Sequence, residues 1–253
     1  MRIAGAVRAV VAAAACGVLV TSVTSCASGS EDASKKDDRG AGNGGSAEGG
    51  ANARAADLRR IPDVGDRLQS KIPKNSRQVV AVYGDGVNWA KSTVVLYTKS
   101  DSSDDTWEKV RSWPGHNGKK GWTTGHREND KRSPVGVFTL TDAGGVLADP
   151  GAKLPYTQSS SMQAPHYWPK THWRDFDYVI AIDYNRAKGT PPNDPTRPQG
   201  QSKGGSIWLH MDHGSGTSGC VSLSKSGMEY LLRTLDPKQH PVVVMGDRMN
   251  LKA

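Results

Sequence analysis

Residues 206–223, SIWLHMDHGSGTSGCVSL, constrain this chain more than any other stretch. Ile207, Trp208 and Leu209 form an apolar, strand-like entry to His210; a Gly/Ser loop follows; Cys220 stands at the far mouth, and Val221 to Leu223 lead away as a second apolar run. A histidine and a thiol therefore meet at the two ends of one short loop. Such a pair can form a thiolate–imidazolium, the activated nucleophile of cysteine-based acyl transfer. A thiol with its ordinary pKa of about 8.5 is mostly protonated at neutral pH and needs a nearby cation or donor. His210 can take its proton and return it to a leaving amine. Gly219 leaves the backbone open to a ligand, and the amides of Gly219 and Cys220 can face the oxygen of a tetrahedral intermediate.

Cysteine counting sharpens the reading. The chain holds three. Residues 1–25 have the form of an export signal: Arg2 and Arg8 at the start, then an apolar run at 10–20 that is short for a permanent membrane span. Val23-Thr24-Ser25-Cys26 resembles a bacterial lipobox, which makes Cys26 the expected lipidated N-terminus, with ordinary secretion as the alternative. Cys16 follows small residues too, but cleavage there would leave too short an apolar core. With Cys16 removed and Cys26 capped by lipid, Cys220 is the one unpaired thiol in an oxidising compartment. A buried, inert cysteine is the bland alternative; glycine and hydroxyl neighbours argue against it.

Hydrophobic residues are 36% of the 253 and aromatics 6%, lean for one packed unit, so part of the chain is expected to be unpacked. Residues 27–56 are Gly, Ala, Ser, Asp and Lys without apolar periodicity and read as a flexible linker of roughly 30 Å typical span. The anchored N-terminal stretch as a whole is taken as 26–75, with a weak helical pattern at 58–74 interrupted by Pro62 and Pro73. The folded domain is expected over 76–247, with 248–253 as a tail.

Within it, 78–83, 93–98 and 106–113 read as an antiparallel meander, the first two runs joined by Gly84-Asp85-Gly86. Runs at 135–140, 178–184 and 241–245 read as strands, and 142–170 and 187–205 as long loops. Ser226 with Glu229 has the capping-box pattern, and Met228, Leu231, Leu232 and Leu235 recur at helical spacing up to Pro237. About eight strands and one clear helix predict an all-β, sandwich- or barrel-like fold with one packed C-terminal helix. A net charge of +8 and a pI near 9.4 suit an anionic partner. No nucleic-acid motif is present and export argues against nucleic acid, which leaves an anionic cell envelope.

The His-before-Cys order excludes a papain-like arrangement. The combination His210, then Thr217-Ser218-Gly219-Cys220-Val221, resembles the signature of the L,D-transpeptidase catalytic domain, the YkuD family. The resemblance extends upstream, to Arg127-Glu128-Asn129-Asp130-Lys131-Arg132-Ser133-Pro134-Val135-Gly136-Val137-Phe138, to Tyr184-Asn185 and to Gly204-Gly205-Ser206, covering residues 76–247. It implies a cysteine transpeptidase of peptidoglycan. Cys220 attacks the bond between the third residue and the terminal D-Ala of a tetrapeptide stem, a thioester forms, and an amine from a neighbouring stem gives a 3→3 cross-link; water as acceptor gives L,D-carboxypeptidase activity. No cofactor, metal or obligate protein partner is implied, and a lipid on Cys26 would hold the domain at the membrane beside the wall. Thr217, Ser218 and His213 are its expected substrate contacts.

The chain departs from the pattern in three places. Ser218 stands where many relatives have histidine, Ser222 where many have Arg or Asn, and only ten positions separate His210 from Cys220. These departures motivate a second reading, a lipid-anchored peptidoglycan-binding module without turnover; a sortase-like protein transpeptidase is a third. His213 rivals His210 as base, though the strand-end position favours His210. His210, Asp212, His213 and Cys220 also allow a zinc-site reading. Of the remaining histidines, His116 and His126 lie near the family-like segments, and Trp122 and Trp168 are candidates for stacking on substrate, with core packing as the plainer reading.

Overall fold

Alternation along β1 (Gln78–Gly84) sends Val80 and Val82 to one face of a sheet and Val79, Ala81 and Tyr83 to the other, and both faces are buried. This comes from a computed structural model that describes residues 57–99 and 105–253. The export signal, Cys16, Cys26 and the linker through residue 56 lie outside the described residues. β2 (Lys91–Lys99) and β3 (Trp107–His116) complete the expected antiparallel meander, with a bulge between Leu96 and Tyr97. β4 (Trp122–Thr123) and β5 (Ser133–Pro134) form a separate small pair. The other strands are β6 (Gly136–Thr139), β7 (Ala143–Gly145), β8 (Tyr156–Gln158), β9 (Val179–Ala181), β10 (Trp208–Met211), β11 (Val221–Leu223) and β12 (Val242–Asp247). Ten strands make one sheet in the order β6-β12-β1-β2-β3-β11-β10-β9-β7-β8.

That sheet closes over its own core. Val80, Val82, Val94 and Leu96 from one half meet Ile180, Leu209, Val221 and Leu223 from the other in a single cluster. Helix α2, Lys225–Thr234 (α1, Asp66–Gln69, being the first helix), supplies Met228, Leu231 and Leu232 to the same cluster. Each such buried side chain contributes roughly 1.5–3 kcal/mol against exposure. The mainly-β fold with a packed helix is thus as expected.

Several boundaries differ. Residues 57–75, grouped with the anchored N-terminal stretch and linker, bury Ile61, Val64, Leu68 and Ile72 against the outer face of β1 and β2. Pro62 and Pro73 disguised this, because they break a helical pattern without preventing a packed turn-rich segment. The supposed tail is α3 (Arg248–Lys252), capped by the Asp247 carboxylate, with Leu251 buried and its carbonyl accepting from Gly65 N at 2.8 Å. α2 is capped by Ser224, whose Oγ accepts from Gly227 N, and not by Ser226. The run at 178–184 keeps only three strand residues, and the excursion at 142–170 contributes β7 and β8 to the sheet edge.

The strands that carry the site follow from the same alternation. On β10, Leu209 and Met211 face the core, so His210 and Trp208 face away from it. β11 runs parallel beside it with Leu209 opposite Val221 and His210 opposite Ser222. Cys220 immediately precedes β11, on the side that Trp208 and His210 share.

Candidate active site

Cys220 is held by two backbone groups within residues 206–208. Its Sγ accepts from Trp208 N at 3.4 Å and donates to Ser206 O at 3.4 Å, and among the described residues it is the free cysteine. Burial pushes this thiol up to about 11; the Trp208 amide opposes the shift and the Asp175 charge adds to it. His210 is 3% exposed, and burial lowers its pKa. Its Nδ1 lies 2.8 Å from Met211 O. A carbonyl only accepts, so Nδ1 carries the hydrogen and Nε2 holds the lone pair, the tautomer a general base needs. The resting pair is accordingly a neutral thiol and a neutral imidazole, in place of the thiolate–imidazolium expected from the residues alone.

The loop between them is braced from inside. Thr217 Oγ1 donates to Cys220 O at 2.6 Å and accepts from Gly219 N at 3.1 Å. Ser133 Oγ donates to Gly219 O at 2.7 Å and accepts from Gly118 N at 2.9 Å. The Gly219 amide, expected to face an oxyanion, is therefore engaged within the loop, which leaves that role to the Cys220 amide. Gly219 has φ +143°, and a Cβ there would stand 3.1 Å from Arg132 O and 3.3 Å from Ile207 Cδ1. Glycine is required by conformation and by space. Thr217 is buried and its hydroxyl is committed to the brace, so it positions the thiol rather than presenting itself to a ligand.

The upstream segments position the Ser206 carbonyl. Asn185 Nδ2 donates to Gly200 O at 3.0 Å and to Gly204 O at 2.5 Å, while Arg197 bonds Ser206 Oγ. Behind them the Arg186 guanidinium bridges the buried Asp142 and Asp183 carboxylates. Tyr184 donates to Lys203 O at 2.9 Å.

Cys220 opens onto two hollows. One, of about 400 Å³, is lined by His210, His213, Ser218, Trp168, His172 and Phe176 among others. The second, of about 220 Å³, has His126, Glu128, Lys131 and Trp208 in its wall. A larger hollow of about 560 Å³ at His126, Arg127 and Tyr184 lacks both the thiol and His210, so size does not mark the reactive site. Ser218 is exposed and borders both cavities around Cys220. His126 shares a wall with the site. His116 turns to Asp212 at 2.8 Å, and Ser222 is fully buried and donates to the same carboxylate. Asp212 is thus occupied away from the thiol, and the set His210, Asp212, His213 and Cys220 is not assembled as a metal site. Trp122 is core, whereas Trp168 borders the cavity.

Phe176 and Asp175, just before the run at 178–184, carry no motif that singles them out, and His172 reads from the residues as a loop or surface histidine. Phe176 sets its ring edge-on to Trp208 and His210, with centroids 5.2 and 5.4 Å away. The one signal was the density of Trp, His and Phe at 166–176 in a chain otherwise poor in aromatics.

Among the described residues, the one free thiol and a buried imidazole with an open Nε2 stand on neighbouring parallel strands, a pairing that cysteine-dependent group transfer can use. The family model for the L,D-transpeptidase catalytic domain, YkuD, matches residues 87–244, more than half of the chain, and the chain belongs to that family. It is an enzyme of the L,D-transpeptidase type, with an activity directed at the cell wall. No curated protein and no solved structure matches it.

Proposed function

We propose that this protein cross-links peptidoglycan through a thioester on Cys220. The observation that carries the reading is that Cys220 and His210 line one cavity, the imidazole in its base-ready tautomer. His210 Nε2 takes the Sγ proton as sulfur attacks the carbonyl of the third stem residue. The Cys220 amide receives the developing oxyanion, and the imidazolium returns its proton to the amine of the departing D-Ala. An amine from a second stem then attacks the thioester and regenerates the thiol. Two hollows meeting at the sulfur support a donor on one side and an acceptor on the other; water as acceptor yields a trimmed stem. Ser218, exposed at the border of both hollows, serves as a substrate contact.

The proposal includes export, with the domain held at the outer face of the membrane by a lipid on Cys26. Muropeptide mass spectrometry of cells expressing the wild type or Cys220→Ala tests it. The expected result is a rise in 3→3 cross-linked dimers with the wild type only. Identical muropeptide profiles, with both proteins folded and exported, would favour the binding module.

A further inference from the structure

We propose that His172, Asp175 and His213 form a binding site for one divalent transition-metal ion of the zinc type, in the wall of the cavity that Cys220 and His210 share. One ligand atom from each of the three lies within 4.8 Å of the other two. Asp175 Oδ2 stands 3.0 Å from Nδ1 of His172 and 3.0 Å from Nδ1 of His213. An ion with bonds of about 2.0–2.1 Å draws its ligand atoms to about 3.3 Å apart, so small side-chain rotations suffice.

A second, independent observation comes from His213. Its side chain is 3% exposed and its Nδ1 faces Asp175 Oδ2 at 3.0 Å, yet neither ring nitrogen completes a well-aligned hydrogen bond. Burying a polar ring without partners costs free energy, and a coordinated cation removes that cost. The Asp175 side chain is 5% exposed, and its Oδ2 is approached by both imidazoles at once. His172 and His213 are packed with ring centroids 3.9 Å apart. Two imidazoles and one carboxylate are a borderline donor set that suits Zn²⁺ and disfavours Mg²⁺, which takes oxygen ligands. Three protein ligands leave a coordination position for water or for a carboxylate entering the cavity.

The site differs from the zinc reading of the sequence: of the four residues weighed there only His213 takes part, and the thiol does not. It also stands apart from the acyl-transfer proposal, because its test reads metal binding and not turnover. The untagged full chain is dialysed against a chelator and titrated with Zn²⁺ against a chromophoric competitor, and the loaded protein is examined by X-ray absorption. The expected result is one Zn²⁺ per chain in a nitrogen and oxygen shell, not displaced by millimolar Mg²⁺. His172→Gln, Asp175→Asn and His213→Gln each weaken it by at least roughly tenfold to a hundredfold, and Cys220→Ser leaves it intact. His172→Gln is the decisive variant, since that side chain is 26% exposed and its loss spares the core; Zn²⁺ should raise the melting temperature of the wild type and not of this variant. Absence of stoichiometric binding, a sulfur-containing shell, or affinity unchanged in His172→Gln would overturn the site.

Discussion

The Trp208 amide meets Cys220 Sγ at 3.4 Å, so the thiol hangs from the strand that carries His210 two residues further on. The same sulfur donates to Ser206 O, one step before the apolar entry. Thiol and imidazole are thereby set by a single backbone segment. Ser218, Trp168 and Lys131 border the two hollows on either side of the sulfur.

Burial that raises the thiol to about 11 makes resting Cys220 a poor nucleophile. Its alkylation by iodoacetamide, followed on the Cys220 peptide by mass spectrometry, should rise about tenfold per pH unit from pH 7 to 10 without a plateau. His210→Gln should leave that slope nearly unchanged. A plateau below pH 8 would point to a resting thiolate and contradict the neutral pair.

Thr217→Val removes both halves of the loop brace and should cost about 1–3 kcal/mol in denaturant unfolding. Gly219→Ala meets an unfavourable φ and the Arg132 carbonyl together, for about 1–3 kcal/mol. If both variants unfold at the wild-type midpoint, the brace is not as described.

Arg186→Met leaves the buried Asp142 and Asp183 carboxylates without their cation and should destabilise by about 3–5 kcal/mol. Loss of the brace behind Asn185 should also lower the acylation rate of the surviving folded fraction, read by stopped-flow against the wild type.

The two cavity histidines carry opposite pH signatures. Burial lowers His210, so its contribution to stability is present above the ordinary histidine pKa and is lost as pH falls through the folded value. The Asp175 carboxylate raises His213, whose contribution is full below the ordinary value and fades as pH rises through the folded one. In metal-free buffer, urea midpoints between pH 4.5 and 9 should therefore show His210→Gln flattening the acid limb and His213→Gln flattening the decline above neutrality. The reverse assignment would contradict both environments.

Much of this was legible in the residues because it depends on local pattern. The strand–His–loop–Cys–strand order, the meander and the apolar face of α2 are periodicities of two and 3.6 that survive folding unchanged. What was not legible depends on partners distant in sequence. Thr217 and Gly219 satisfy one another, which no motif announces. Asp212 is drawn off by His116 and Ser222, residues brought together only by the β3–β11 pairing. Ile61, Val64, Leu68 and Ile72 look like scattered apolar residues in a turn-rich stretch until the outer face of β1 gives them a surface to cover. Asp175 could not be joined to His213 without knowing that Met211 N bonds Asp175 O.

Intact-protein mass spectrometry after exposure to a tetrapeptide-stem donor tests the central claim most directly. The expected result is an adduct of the donor less D-Ala, mapped to Cys220, lost on addition of an acceptor amine and absent in Cys220→Ala. A folded wild type that stays unmodified, or an adduct that persists in Cys220→Ala, would contradict it.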